Sequence, residues 1–106
     1  MAEDVTAPAL PQLSEILETL RQQMPNLVER HHVSYLGVFG SYVRDEQGPD
    51  SDLDVLVEFS KTPGFFRYMR LENELSDLLG IKVDLVLKKT LKPAIGKKIL
   101  QEVVPV

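Results

Sequence analysis

The chain has 106 residues, with 12 Lys and Arg against 16 Asp and Glu and a formal net charge of −4. That length suits one small domain with a single core and leaves no room for a separate substrate domain. The composition, 43% hydrophobic and 26% charged, excludes a disordered or fibrous chain. The lack of cysteine excludes a disulfide framework, a thiolate metal site and a cysteine nucleophile.

A cysteine-free chain fits a reducing, cytoplasmic setting. Glu3 and Asp4 stand where a signal peptide would carry positive charge, and no apolar run approaches the roughly 20 residues of a bilayer span. The expectation is a soluble protein with no membrane partner. Charge is unevenly spread: six acids fall between Asp45 and Glu58, while Lys88, Lys89, Lys92, Lys97 and Lys98 crowd the C-terminal part.

Residues 1–9 read as a flexible N-terminal tail, and residues 10–106 as a single domain. Leu10, Leu13, Leu17, Leu20 and Met24 recur at spacings of three and four, which places them on one helical stripe. Pro25 is expected to end or kink that helix, with Leu27 and Val28 in a short second piece reaching His31 or His32. Val33 to Phe39 is apolar, rich in β-branched and aromatic residues and too short for a buried helix, so it reads as a strand. Gly40 and Ser41 interrupt it, and a short helix is expected over 41–46 before the loop of Gln47, Gly48, Pro49 and Asp50.

From Asp52 to Phe59 the pattern is again that of a strand, with Asp52, Asp54, Leu56 and Glu58 on one face and Leu53, Val55, Val57 and Phe59 on the other. Thr62, Pro63 and Gly64 open a long helix whose stripe is Phe65, Tyr68, Leu71, Leu75, Leu78 and Leu79, closed by Gly80. Phe65 and Phe66 are expected in the core, although one of them beside the nucleotide pocket is the alternative. Lys82 to Leu87 is a third strand, with Asp84 and Val86 opposite Val83, Leu85 and Leu87. A last helix over about 92–102 carries Ile95, Ile99 and Leu100, followed by Val103. The fold class is α/β (α+β), a small mixed sheet of three to four strands with helices packed on one face.

Two aspartates on one face of an apolar strand need partners. Asp52 and Asp54 are about 6.6 Å apart along a strand, close enough for both to reach one divalent cation, although an isolated Asp-x-Asp equally suits a solvated sheet edge. Asp84 is a third lone carboxylate in an apolar strand, and neighbouring strands would bring all three together. Hard oxygen donors of this kind suit Mg²⁺ or Mn²⁺, and a pair of such ions is the arrangement that serves phosphoryl transfer. Gly40, Ser41 and Arg44 sit where a strand runs into a helix start, the chemistry that receives phosphate; a plain N-cap with a surface arginine is the alternative. His31 and His32 are adjacent and diverge, which speaks against a shared metal. Tyr42 reads as packing, with base stacking as its alternative role. The lysine run reads as a solvated face, with triphosphate, nucleic acid or an acidic partner surface as its alternative contacts. It lacks the interleaved aromatics of nucleic-acid stacking, which speaks against direct nucleic-acid binding.

Gly40-Ser41-Tyr42-Val43-Arg44, Ser51-Asp52-Leu53-Asp54 and Val83-Asp84-Leu85-Val86 together resemble the signature of the minimal nucleotidyltransferases of the DNA polymerase beta superfamily, the MntA-like antitoxins of HEPN/MNT toxin-antitoxin pairs. The resemblance spans about Val33 to Val104. It implies the polymerase-beta-like nucleotidyltransferase fold, with Gly40, Ser41, Arg44 and Ser51 binding the nucleotide. It further implies that Asp52 and Asp54 hold the metals bridging the triphosphate, two Mg²⁺ or Mn²⁺ ions, and that Asp84 completes the second metal site and helps to deprotonate the acceptor. The implied activity is transfer of AMP from ATP, or of another nucleotide from its triphosphate, to a tyrosine hydroxyl of a partner HEPN toxin, in a hetero-oligomer with that toxin or alongside a homo-oligomer. Several relatives carry glycine after the motif arginine where this chain has Asp45, a departure that bears on the loop's backbone. Two other readings remain: a non-catalytic antitoxin that masks its partner, and transfer to a small-molecule acceptor, for which the chain offers little room.

Overall fold

The computed structural model describes residues 11–106; the expected tail and Leu10 lie outside them. Helix α1 spans Leu13–His31, strand β1 Val33–Phe39, β2 Leu53–Phe59, helix α2 Phe65–Leu79, β3 Val83–Leu87, helix α3 Pro93–Glu102 and β4 Val104–Pro105, with a single 3-10 turn at Lys88–Thr90. The four strands form one mixed sheet in the order β3-β2-β1-β4. Strands β1 and β2 are antiparallel, β2 and β3 parallel, and β4 antiparallel to β1.

Helix α1 begins with a reciprocal cap in which the Gln12 N–H donates to Glu15 Oε1 at 2.8 Å. Pro25 does not end it, and no separate second piece forms: one helix runs on to His31. Both Pro25 and Arg21, whose carbonyl loses its helical donor there, are exposed, so water replaces the missing bond. Beyond the proline, Leu27 and His31 are buried on the same side as Leu20 and Leu17. The His31 ring meets Glu74 Oε2 at 3.1 Å, while His32 caps the helix in the left-handed region.

The core forms between one sheet face and helices α1 and α2. Ile16, Leu17, Leu20, Leu27, Leu71 and Leu75 meet Val33, Leu36, Val38, Leu53, Val55, Val57, Val83 and Leu85. Each such leucine contributes about 1.5–3 kcal/mol by leaving water. Strand alternation turns Asp54, Leu56 and Glu58 to the opposite face, as the pattern requires. Between Val33 and Tyr35 the β1–β2 register slips, so that Val33 pairs with Phe59 but Tyr35 with Glu58. This β-bulge inserts Ser34 as an extra residue in β1.

One expectation for the helices changes. Phe65 and Phe66 are not in the core: they are 71% and 83% exposed and stack edge-on against each other at 5.6 Å. The second helix engages the core with Leu71, Leu75 and the half-buried Tyr68, one turn further along. In α3 only Gly96 is buried, leaving Ile95 and Leu100 exposed. The fourth strand that the fold class allows is β4, which is two residues long and holds a proline, as an edge position tolerates.

Candidate active site

The chain leaves β1 at Phe39 and turns at Gly40, whose φ of 86° lies in the left-handed region. A Cβ there would run into the carboxylate of Asp54, so the position needs glycine on both counts. The N–H groups of Val43 and Arg44 fold back to the Gly40 carbonyl at 3.0 and 3.2 Å, and that of Glu46 to the Ser41 carbonyl at 2.9 Å. The expected helix over 41–46 is therefore a single turn, stopped by Asp45 at φ 57°. Asp45 adopts the conformation that glycine would supply, which carboxamides and carboxylates reach more readily than other side chains. An incoming anion would meet turn amides here and not the end of a helix dipole.

Asp54 pairs with Phe39 across β1–β2 and with Asp84 across β2–β3. Two of the three expected carboxylates thus stand side by side on neighbouring strands. Asp52 lies immediately before β2 and not within it, and the Leu53 N–H continues the ladder to the Lys82 carbonyl at 2.8 Å. Lys82 Nζ is 3.9 Å from Asp52 Oδ2, an exposed pair that adds little stability. Burial first, then the charges of Asp84 and Asp52, push the Asp54 carboxyl up to about 6, with Glu102 adding to the rise and Arg44 opposing it.

Among the described residues no three acidic or histidine side chains close into a metal-ligating cluster. The donor chemistry nonetheless fits a hard divalent cation. Asp54 is half-buried among like charges, so a cation beside it would offset both the burial and the repulsion that raise its carboxyl.

The remaining expected residues are arranged differently. Ser51 closes its own loop, its Oγ accepting the Gly48 N–H at 2.9 Å. Together with Asp52, Lys82 and the buried Tyr42 it lines a cleft of about 380 Å³. Among the described residues the buried Tyr42 hydroxyl has no hydrogen-bond partner, and burial, then the charge of Asp52, makes it a weaker acid than an ordinary tyrosine. Tyr42 otherwise packs in the core.

Arg44 is engaged by two carboxylates, Nε with Glu46 Oε1 at 2.8 Å and Nη1 with Glu102 Oε1 at 2.6 Å. Glu102 Oε2 also accepts the Gly40 N–H at 2.8 Å. Neither glutamate was singled out from sequence. The available signal was Glu102 itself, an acid at the negative end of a helix.

A mixed sheet carrying Asp54 and Asp84 in register, next to a glycine turn with an arginine, defines a nucleotidyltransferase. The chain belongs to the nucleotidyltransferase domain family, whose profile matches residues 13–106, and it is an enzyme of that class. It is 47% identical over 96 residues to the protein adenylyltransferase MntA of Thermococcus cleftensis, covering 91% of this chain and 97% of that one. A solved minimal nucleotidyltransferase superimposes with a TM-score of 0.76 at 34% identity, covering 93% of this chain and all of the other. At 21% identity, the MNT antitoxin fold is shared with a complex containing the tri-AMPylated Shewanella oneidensis HEPN toxin, with a TM-score of 0.56 over 87% of this chain and 66% of that chain. No helix among the described residues is long and apolar enough to cross a membrane.

Proposed function

We propose that the protein is a metal-dependent protein adenylyltransferase that moves AMP from ATP to a tyrosine hydroxyl of a HEPN-type toxin and thereby acts as its antitoxin. The observation that carries this reading is the register pair of Asp54 and Asp84 with Asp52 just ahead of it, beside the Gly40 turn. The name of the Thermococcus relative and the AMPylated toxin bound to the Shewanella antitoxin support the acceptor.

In this reading the turn from Gly40 to Arg44 orients the triphosphate, with Ser41 as hydroxyl donor and Arg44 as cation. Asp52, Asp54 and Asp84 would hold Mg²⁺ or Mn²⁺, which supplies charge stabilisation to the triphosphate. The tyrosine oxygen attacks the α-phosphorus in line, the bond to the β-phosphate oxygen breaks, and pyrophosphate leaves. Asp84, exposed on β3, accepts the hydroxyl proton.

Purified protein with Mg²⁺, α-labelled ATP and a HEPN-type toxin should label that toxin on tyrosine. Combining Asp52→Asn with Asp54→Asn should abolish the labelling. Undiminished labelling by the double variant would exclude this site as the catalytic one.

A further inference from the structure

Glu102 has no part in the chemistry above, yet both of its oxygens are committed to the site. It is the last residue of α3, where its charge faces the negative end of the helix dipole, so local helix chemistry disfavours it. What offsets that placement is tertiary: Oε2 accepts the Gly40 N–H at 2.8 Å and Oε1 accepts Arg44 Nη1 at 2.6 Å. Arg44 Nε is held separately by Glu46 at 2.8 Å. A guanidinium is planar and carries five N–H donors in a fixed fork, so fixing Nε and Nη1 also fixes where the two donors of Nη2 point.

Asp54 lies within electrostatic reach of Arg44, whose charge opposes the rise of that carboxyl. Untethered, the guanidinium would be drawn onto that carboxylate. We propose that Glu102 is a positioning residue for nucleotide transfer, holding Arg44 at the Gly40 turn, off Asp54 and with Nη2 open to the phosphates. The inference rests on the reading that this turn receives the triphosphate.

The sign of its effect separates this role from simple charge. Glu102 is an anion beside the seat of a polyanion, so removing its charge by itself would tighten nucleotide binding. Loss of a positioning contact weakens binding instead. The test is calorimetric titration of the full chain with the α,β-methylene analogue of ATP and Mg²⁺, without acceptor, for wild type, Glu102→Ala, Glu102→Gln, Arg44→Gln and the Arg44→Gln/Glu102→Ala pair.

Glu102→Ala should weaken binding by about tenfold or more, the scale of a charge-assisted bond. Glu102→Gln keeps an acceptor for the Gly40 N–H but loses the charge, and should weaken it by about threefold to fivefold. In the Arg44→Gln background, Glu102→Ala should add nothing, because its effect passes through the arginine. Melting curves check that each variant folds, and Glu102→Gln carries the test if the alanine variant does not. Unchanged or tighter binding by the Glu102 variants overturns the inference, and so do additive losses in the pair, which a merely structural role would give. If Arg44→Gln by itself leaves affinity unchanged, the phosphate reading of the turn falls and the inference with it. If Arg44→Gln weakens binding while the Glu102 variants do not, only the inference falls.

Discussion

Replacing Asp54 with asparagine tests whether the site holds its charge at the expense of the fold. The folded chain raises this carboxyl from 3.8 to about 6, so its ionised form is penalised in the folded state only. The sign follows: the penalty is absent below pH 3.8, grows between 3.8 and about 6, and is complete above that range. The rise is roughly a hundredfold change in the ionisation equilibrium, about 3 kcal/mol at its full value. Asp54 is only half-buried, and solvent screening reduces that to about 1–1.5 kcal/mol. Asp54→Asn should therefore stabilise the metal-free protein at pH 8 and raise its melting temperature by about 5 °C, a gain that shrinks several-fold by pH 4. Thermal denaturation followed by circular dichroism in the presence of a chelator, from pH 4 to 8, measures it. A lower melting temperature at pH 8, or a gain independent of pH, would refute the electrostatic account of Asp54.

Gly40→Ala should destabilise the protein by about 1–3 kcal/mol, since it combines a left-handed backbone with a collision against the Asp54 carboxylate. It should also suppress toxin labelling beyond what unfolding explains; urea denaturation and the labelling assay together decide, and wild-type values in both would contradict the turn described. Pro25→Ala should stabilise by about 1–2 kcal/mol, because it restores an N–H inside α1 at an exposed position. A lower urea midpoint would show that the helix depends on its proline for packing.

Strands and core were legible in the sequence because burial on one face imposes alternation, and Leu53, Val55 and Val57 hold that face as their spacing requires. Asp54 and Asp84 were legible for the same reason, as carboxylates interrupting apolar strands. What the sequence could not show depends on tertiary context. Pro25 is tolerated only because its turn of α1 faces water, which no local rule states. Phe65 and Phe66 read as core by hydrophobicity, yet α2 meets the core further along. The helix expected after Gly40 fails because Asp45 adopts a left-handed backbone. Glu102 lies 62 residues from Gly40, so its bond to that amide leaves no mark in local pattern.

The bulge at Ser34 has a reach out of proportion to its size. Val33 pairs with Phe59, and continuing that register with Ser34 paired as an ordinary strand residue would set Phe39 against Leu53, not Asp54. The residue beside Gly40 would then be a core leucine, and the phosphate turn and the carboxylates would fall out of phase. By taking up one residue at the far end of β1, the bulge thus keeps the two halves of the site in phase. A β1 lacking Ser34 would still set Phe39 against Asp54, so the site depends on the bulge swallowing that residue and not on the residue itself.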